Sequence, residues 1–409
     1  MSSPPVLGTA AGAGAARGRP VEAGRRNAAA VVRAVLDHGP VPRHRIAELT
    51  GLSAATVTRL TARLTGGGQL LELPSVLGPA EAGRPRVPLD LPLAVTAVIG
   101  VHIGLLRTTL GVVDLRGGLL EQLVVPRGSP EPDQVIEEIA SAVGVLTNRQ
   151  TSRRILGVGV SAGGWIDTEA GTVAEHGPLG WRDVPLLAEL GRRLEQPVRL
   201  DGLVRALALA EGWYGAGREA DSLLEFFVGN VVGAAFTTGR RIHHGPRSAA
   251  GSIAHLRVPG LTGAGCGCGR SDCLQGAVAD SSVLELARRE GAVGPDDAYE
   301  ELTRRARAGS IAADRVLRTR SRQLGQAAAI LLDLVNPELI VLAGGPLRTP
   351  EYLPLIREEL ARHSALGAAG GERLVLSGLG ERALVLASAA VFLDAWFGDP
   401  IAFAGEGRR

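Results

Sequence analysis

"GCGCGRSDCLQG", residues 265–276, carries every cysteine of a 409-residue chain: Cys266, Cys268 and Cys273. The spacing is Cys-x-Cys-x4-Cys, and His255 stands eleven residues before the first of them in "SIAHLRV". Three thiolates and one imidazole complete a tetrahedral zinc set and leave no coordination position for water. Gly265, Gly267 and Gly269 let the chain fold back tightly enough for the sulfurs to converge. His255, Cys266, Cys268 and Cys273 are therefore expected to hold one structural zinc that staples a loop. His243 and His244 lie 23 and 22 residues before Cys266 and are alternative fourth ligands. An odd number of cysteines argues against a secreted disulfide framework.

Around this loop the composition is that of a globular chain with room for two or three domains of about 100–200 residues. No charged-then-apolar leader is visible. The most apolar stretch, Ala327 to Gly345, is interrupted by Asp333, Asn336, Pro337 and Glu338. The expected location is the cytoplasm, with no membrane partner. All 44 basic residues are arginine. Chemistry that needs a lysine, a Schiff base or a Walker-type phosphate loop, is excluded.

Upstream, residues 1–24 are rich in Gly, Ala and Pro, lack apolar periodicity and are expected to form a disordered tail. Helical periodicity begins near Asn27: "AAAVVRAVLDHG" puts Val31, Val32 and Val35 on one face and closes at Gly39-Pro40. In "PRHRIAELTGLSAATVTRLTARL" one helix ends at Thr50-Gly51 and another opens at Ser53, a good N-cap. Helix, glycine turn and Ser-capped helix form a helix-turn-helix signature. "QLLELPSV" and "RPRVPLDL" then read as the strands of a hairpin wing, which completes a winged helix-turn-helix over residues 25–90. Residues 1–90 hold 11 arginines against 6 acids, a local excess of positive charge suited to a polyanion.

From Val95, "VTAVIGVHIG", "RTTLGVVDL" and "LLEQLVVP" read as an antiparallel meander. A helix at Asp133–Asn148 and a strand at Ile155–Val160 follow, and helices and strands alternate to the end, as in helix 319–335 and strand 339–345. That is an α/β architecture with mixed sheets, in two lobes.

"VGNVVGAAFTTGRRIHHGPRSAAG" (228–251) with the cysteine loop, "NPELIVLAGG" (336–345), "GVGVSAGGWIDTEAG…LGWRDVPL" (157–186) and "LALAEGWYGAG" (207–217) together resemble the ROK family of sugar kinases and sugar-responsive repressors. The resemblance covers roughly residues 27–400, and the preceding winged helix is what separates the family's repressors from its kinases. It implies a winged helix-turn-helix followed by a two-lobed actin-like ATPase domain over about 95–400. The small lobe would be about 95–202 plus a C-terminal helix at 383–400, and the large lobe about 203–382.

The kinase reading meets the sequence position by position. Family kinases carry an Asn-Asp pair before the helix matched by "VRALALAE"; here that pair is Gly202 and Leu203, and leucine cannot take a proton. Asp201 lies two residues early. The first phosphate turn, Asp-x-Gly-Gly-Thr in family kinases, is "VHIGLLRTT", with His102 at the acid and Leu105-Leu106 in the turn. The second, "GNVVG" (229–233), keeps only its outer glycines. Two sugar-gripping glutamates of the family are Ser252 and Gln275 here, which still hydrogen-bond but give up a charge-assisted acceptor, while His255 is unchanged. The pocket of Gly202, Leu203, Ser252, His255 and Gln275 is either vestigial or retuned to another ligand.

On the DNA side, Ser53, Ala54, Thr56, Val57 and Arg59 of the second helix are expected to be exposed towards base edges, while Leu60 and Leu64 face the core. Arg43, Arg45 and Arg63 are expected on phosphates. Arg84 and Arg86 of "GRPRV" would reach a minor groove from the wing tip. The chain is thus expected to be a DNA-binding transcriptional regulator, foremost a repressor, and not an enzyme. It would be a homodimer on a two-fold double-stranded operator, answering to a sugar or sugar-like effector. The alternative is a ROK sugar kinase with an appended DNA-binding domain.

Overall fold

The computed structural model describes residues 15–74, 87–258, 260, 263, 265–270 and 272–403. The chain divides into two compact units: residues up to Ala97 with Ser152–Arg154 and the chain from Leu393 onward, and Val98–Thr151 with Ile155–Phe392.

The first unit begins with α1 (Ala15–His38), then β1 (Val41–Pro42), α2 (Arg43–Thr50), α3 (Ala54–Gly66), β2 (Leu71–Glu72) and β3 (Pro88–Asp90). Val31, Val32 and Val35 of α1, Ile46 of α2, and Val57, Leu60 and Leu64 of α3 are buried and make its core. The turn between α2 and α3 is set by Gly51 at φ +68°, a left-handed conformation that a Cβ disfavours. Ser53 then caps α3 by accepting the Thr56 N–H. β2 and β3 pair antiparallel, and β1 joins β3 from the other side to make a three-stranded sheet. The wing tip, 75–86, lies outside the described residues.

Two expectations here are corrected. The tail expected to be disordered over 1–24 is helical from Ala15, residues 1–14 lying outside the described residues. Once the turns at 27–38 are fixed by burial, extending a helix towards its N-terminus needs no new nucleus. Val57 was expected to face DNA and is fully buried. With Leu60, Thr61 and Leu64 it forms the i, i+3, i+4, i+7 stripe that α3 turns to the core.

The second unit is built on two five-stranded mixed sheets. The meander is β4 (Thr96–Ile103), β5 (Arg107–Val113) and β6 (Leu119–Pro126), antiparallel throughout. After α4 (Pro132–Arg149), β7 (Arg154–Ala162) enters beside β4. A three-stranded ribbon of β8 (Trp165–Asp167), β9 (Thr172–His176) and β10 (Trp181–Val184) follows, then α5 (Leu186–Arg193) and β11 (Val198–Gly202), parallel to β7. The strand order is β11-β7-β4-β5-β6.

The second sheet follows α6 (Leu203–Tyr214). Its strands are β12 (Leu223–Val228), β13 (Val232–Thr238), β14 (Arg241–Ile242), and later β15 (Leu339–Gly344) and β16 (Leu374–Leu376), in the order β14-β13-β12-β15-β16. Between them run α7 (Leu274–Val278), α8 (Asp280–Arg289), α9 (Tyr299–Arg307) and α10 (Ile311–Val335), and after β15 come α11 (Leu353–His363) and α12 (Gly367–Glu372). Leu224, Phe226 and Val228 of β12 pack with Leu324, Ala327, Ala328 and Leu331 of α10 on one face of this sheet. α10 is eight residues longer at its start than the periodicity indicated, because Ser310 caps it by accepting the Ala313 N–H. The last helix is α13 (Ala383–Gly398). This is the winged helix-turn-helix and two-lobed α/β architecture read from the sequence.

Ser53→Ala should cost the first unit about 1 kcal/mol, and Leu64→Ala about 2–5 kcal/mol. Amide hydrogen exchange over residues 54–66 isolates the effect from the rest of the chain.

Candidate functional site

The buried stripe of α3 leaves Ser53, Ala54, Ala55, Thr58, Arg59, Ala62 and Arg63 exposed along the opposite face. Arg59 and Arg63, four apart, share it. Ala55, Thr58 and Ala62 were missed by the sequence reading, although the stripe marks them by default. Thr56 is half-buried, its hydroxyl 2.9 Å from that of Ser53. Arg45 is exposed and pairs with Glu48 at 2.7 Å. Arg43, expected on a phosphate, is turned inward: Nε donates to Thr61 Oγ1 at 3.0 Å and a terminal nitrogen pairs with Glu72 of β2. It ties helix to wing strand and is not free for DNA in this arrangement. Arg84 and Arg86 lie outside the described residues.

In the second unit the side chains of His255, Cys266, Cys268 and Cys273 converge, with one potential ligand atom from each lying within 4.8 Å of the others. His255 Nδ1 is 3.6 Å from Cys266 Sγ, and Cys268 Sγ is 3.4 Å from Cys273 Sγ. Zinc–sulfur and zinc–nitrogen bonds of about 2.3 and 2.0 Å imply tetrahedral edges of roughly 3.5–3.8 Å, so the four donors fit a metal ion of that kind. Gly265 (φ +101°) and Gly269 (φ +85°) make the reversal. The hydrogen bond from the Arg270 backbone and that residue's guanidinium hold the Cys268 thiol down at about 6, whereas burial pushes Cys273 up. The alternative ligands are occupied elsewhere: His243 stacks on Phe236 at 4.8 Å between ring centroids, and His244 Nε2 is 3.2 Å from Asp201 Oδ2.

Asp201 marks a second constellation. It is the penultimate residue of β11, is buried, and its Oδ1 accepts from its neighbour Gly202 N–H (2.6 Å) and from Arg205 Nε (2.5 Å). Arg205 is buried too, donating to Ser248 O (2.8 Å) and Ile166 O (2.9 Å). One guanidinium therefore joins β11, β8 and the turn Pro246–Ser248. Around it, Thr168 and Ser248 hydroxyls lie 2.5 Å apart, Asp167 faces Arg247 at 3.4 Å, and Trp165 Nε1 donates to Arg247 O at 2.8 Å while Arg247 covers the Trp165 ring. Arg247 and Ser248 both sit at positive φ, +52° and +55°. Contacts on both sides hold them in that conformation.

Of the expected pocket, Gly202 caps α6 and Leu203 is buried at its first position. Ser252 is exposed, its hydroxyl donating to Ala249 O. Gln275 was read as a pocket residue, but its amide is spent on the turn between β12 and β13. Oε1 accepts the Val232 N–H (2.8 Å) and Nε2 donates to Asn230 O (2.6 Å).

A family model described as the ROK family matches residues 98–394. The chain belongs to the ROK family. A transcriptional regulator of Mycobacterium tuberculosis is 33% identical over 91% of this chain and 86% of its own length. Among solved structures, a ROK family transcriptional regulator described as a homologue of the Escherichia coli MLC protein superposes with a TM-score of 0.80. It has 22% identity and covers 94% of this chain and 99% of that one. A ROK hexokinase from Thermus thermophilus matches with a TM-score of 0.62 and 27% identity, over 73% of this chain and 99% of the hexokinase. The regulator thus spans both units, while the share matched by the hexokinase is smaller.

The kinase-like turns of this ROK chain are occupied from within. At the β4–β5 turn Gly104 N–H bonds back to Arg107 O, and Leu105 and Leu106 are exposed at its tip. His102 is buried beside it, Nδ1 3.2 Å from Ser161 Oγ, which is 2.8 Å from Ser388 Oγ. At the β12–β13 turn Gly229 N–H bonds to Val231 O, and Gln275 takes that of Val232.

Removing Arg205 would strand a buried carboxylate. Arg205→Ala should cost about 3–5 kcal/mol, and Arg205→Met with Asp201→Leu should recover most of it, measured by chemical denaturation. Burial, His176 and the nearby Arg107 and Arg127 depress His102 to about 4. It stays neutral in the fold while the unfolded chain protonates it. Stability should therefore be complete above pH 6.5 and fall by roughly 3 kcal/mol as pH drops from 6.5 to about 4. His102→Gln should flatten that slope in pH-dependent thermal denaturation.

Proposed function

We propose that the chain is a DNA-binding transcriptional repressor whose C-terminal ROK module binds a small effector without phosphorylating it. The winged helix-turn-helix, residues 25–90, binds a two-fold double-stranded operator as part of a homodimer. The exposed face of α3 enters the major groove, with Arg59 towards base edges and Arg45 and Arg63 towards phosphates. The sensor module, 95–400, takes a sugar or sugar-like effector beside Asp201, His244 and Ser252. No described helix is long and apolar enough to cross a membrane, and the proposed site of action is the cytoplasm.

The observation that carries this reading is Leu203, buried where the family's kinases place their base, in a chain that also presents an exposed, arginine-bearing α3. Asp201, two residues earlier, is committed to Arg205 and His244. The hexokinase likeness supports the descent of the module, and the regulator likeness supports its use. His255, Cys266, Cys268 and Cys273 would hold one zinc, which supplies no chemistry beyond fixing the loop between His255 and α7.

The protein should bind a fragment of its own genome with an affinity that falls steeply with salt. Arg59→Ala should weaken binding by about 1–3 kcal/mol in a sequence-dependent way, and Arg63→Ala should weaken all fragments alike. ADP release across hexoses and N-acetylated hexosamines should stay at background. Turnover that vanished in Asp201→Asn would replace the repressor with the kinase reading. Metal analysis should find one zinc per chain, lost in Cys268→Ser together with exchange protection over 265–276.

A further inference from the structure

The four donors of the cysteine loop are unequally placed. Cys268 is exposed, Cys266 half-buried and Cys273 buried. They lie in two close pairs: His255 Nδ1 with Cys266 Sγ at 3.6 Å, and Cys268 Sγ with Cys273 Sγ at 3.4 Å. A disulfide holds its sulfurs about 2.05 Å apart, so the second pair needs only a small approach to become one.

That approach can come from one side. Cys273 is fixed: it is the N-cap of α7, its backbone bridges to Arg257, and the next two residues donate their N–H groups to Leu256 and Ala254. Cys268 stands at the tip of a turn whose backbone bonds are its own, Cys266 N–H to Arg270 O and Gly269 N–H to Cys266 O. On either side of it, at Gly267 and Gly269, an added Cβ would meet no described atom within 4 Å. The exposed sulfur has room to move, and the buried one does not need to.

We propose that Cys268 and Cys273 form a peroxide-sensing pair: hydrogen peroxide oxidises Cys268, Cys273 closes a disulfide on it, and the loop gives up its metal. In the first step the Cys268 thiolate attacks a peroxide oxygen; an S–O bond forms, the O–O bond breaks and hydroxide leaves. In the second the Cys273 thiolate attacks the Cys268 sulfur; the S–S bond forms, the S–O bond breaks and a second hydroxide leaves. Two electrons pass from the two sulfurs to the peroxide oxygens. Thiolate is the ligating form of cysteine, so the disulfide removes two of the four donors and leaves His255 and Cys266. This last step rests on the zinc reading of the loop; the disulfide does not. In a compartment that keeps thiols reduced, a bond of this kind is transient and serves sensing.

The test treats the full-length, zinc-loaded protein with a molar excess of hydrogen peroxide and stops the reaction with catalase. Zinc release is read with a chromogenic chelator, and disulfides by peptide mapping without reduction. One zinc per chain should be released at the rate at which the Cys268–Cys273 disulfide appears, and dithiothreitol with added zinc should reverse both. Cys266→Ser, which leaves the pair intact, should still form the disulfide, and Cys268→Ser should form none. Zinc retained under peroxide that fully oxidises a dithiol peptide would overturn the proposal. So would a disulfide joining Cys266 to either partner, or sulfinic acid at Cys268 with no disulfide. A protein without zinc before oxidation would overturn the zinc reading and the release, and the mapping would still decide the pair.

Discussion

The buried guanidinium of Arg205 is the contact on which the arrangement of the second unit turns. It lies four residues after Asp201, third in α6, and its nitrogens reach the Asp201 carboxylate of β11, the carbonyl of Ile166 and that of Ser248. Each acceptor belongs to a different stretch of chain, and each lies on a buried residue. Breaking one bond therefore leaves two buried groups uncompensated, which makes the joint close to all-or-none.

The cysteine loop is tied to the β12–β13 turn by a short covalent path. Cys273 is the N-cap of α7; Leu274 and Gln275 donate their backbone N–H groups to Leu256 and Ala254, on either side of His255, and the Gln275 side chain holds the β12–β13 turn. Metal ligand, loop anchor and turn clamp fall within three residues. A metal at the four donors would fix where α7 begins, and with it the reach of Gln275 to Asn230 and Val232. Loop and turn are in that sense one structural element.

How much of this was legible follows from sequence separation. The meander, the Ser53 cap, the Gly51 turn and the Cys3His convergence rest on local periodicity or spacing, and they stand where the residues put them. Val57 was legible as well: its stripe with Leu60, Thr61 and Leu64 outweighs its nearness to the helix start. The Asp201–Arg205 pair has the i, i+4 spacing of a helical ion pair and could have been read. Its other partners, 39 and 43 residues away, could not. Gln275 had the family position of a sugar contact, but the turn it serves lies more than 40 residues upstream, and an unpaired Val232 N–H has no signature in sequence. Arg43 looked like a phosphate ligand because no local pattern announces Glu72, 29 residues on.

Phosphotransfer and ligand binding make different physical demands on this fold. Transfer needs a carboxylate free to accept a proton and turns with N–H groups free to hold phosphate. Binding needs only polar groups held in place. In this chain Leu203 has no side-chain acceptor, Asp201 accepts from Arg205, and each turn carries a bond to itself or to Gln275. What remains adjustable is the joint made by Arg205, Asp167, Thr168 and Ser248, a set of buried polar contacts between the β8 ribbon and the turn before Ser252. A sensor has to couple occupancy to shape, and a joint that is either fully bonded or broken does so without any chemical step.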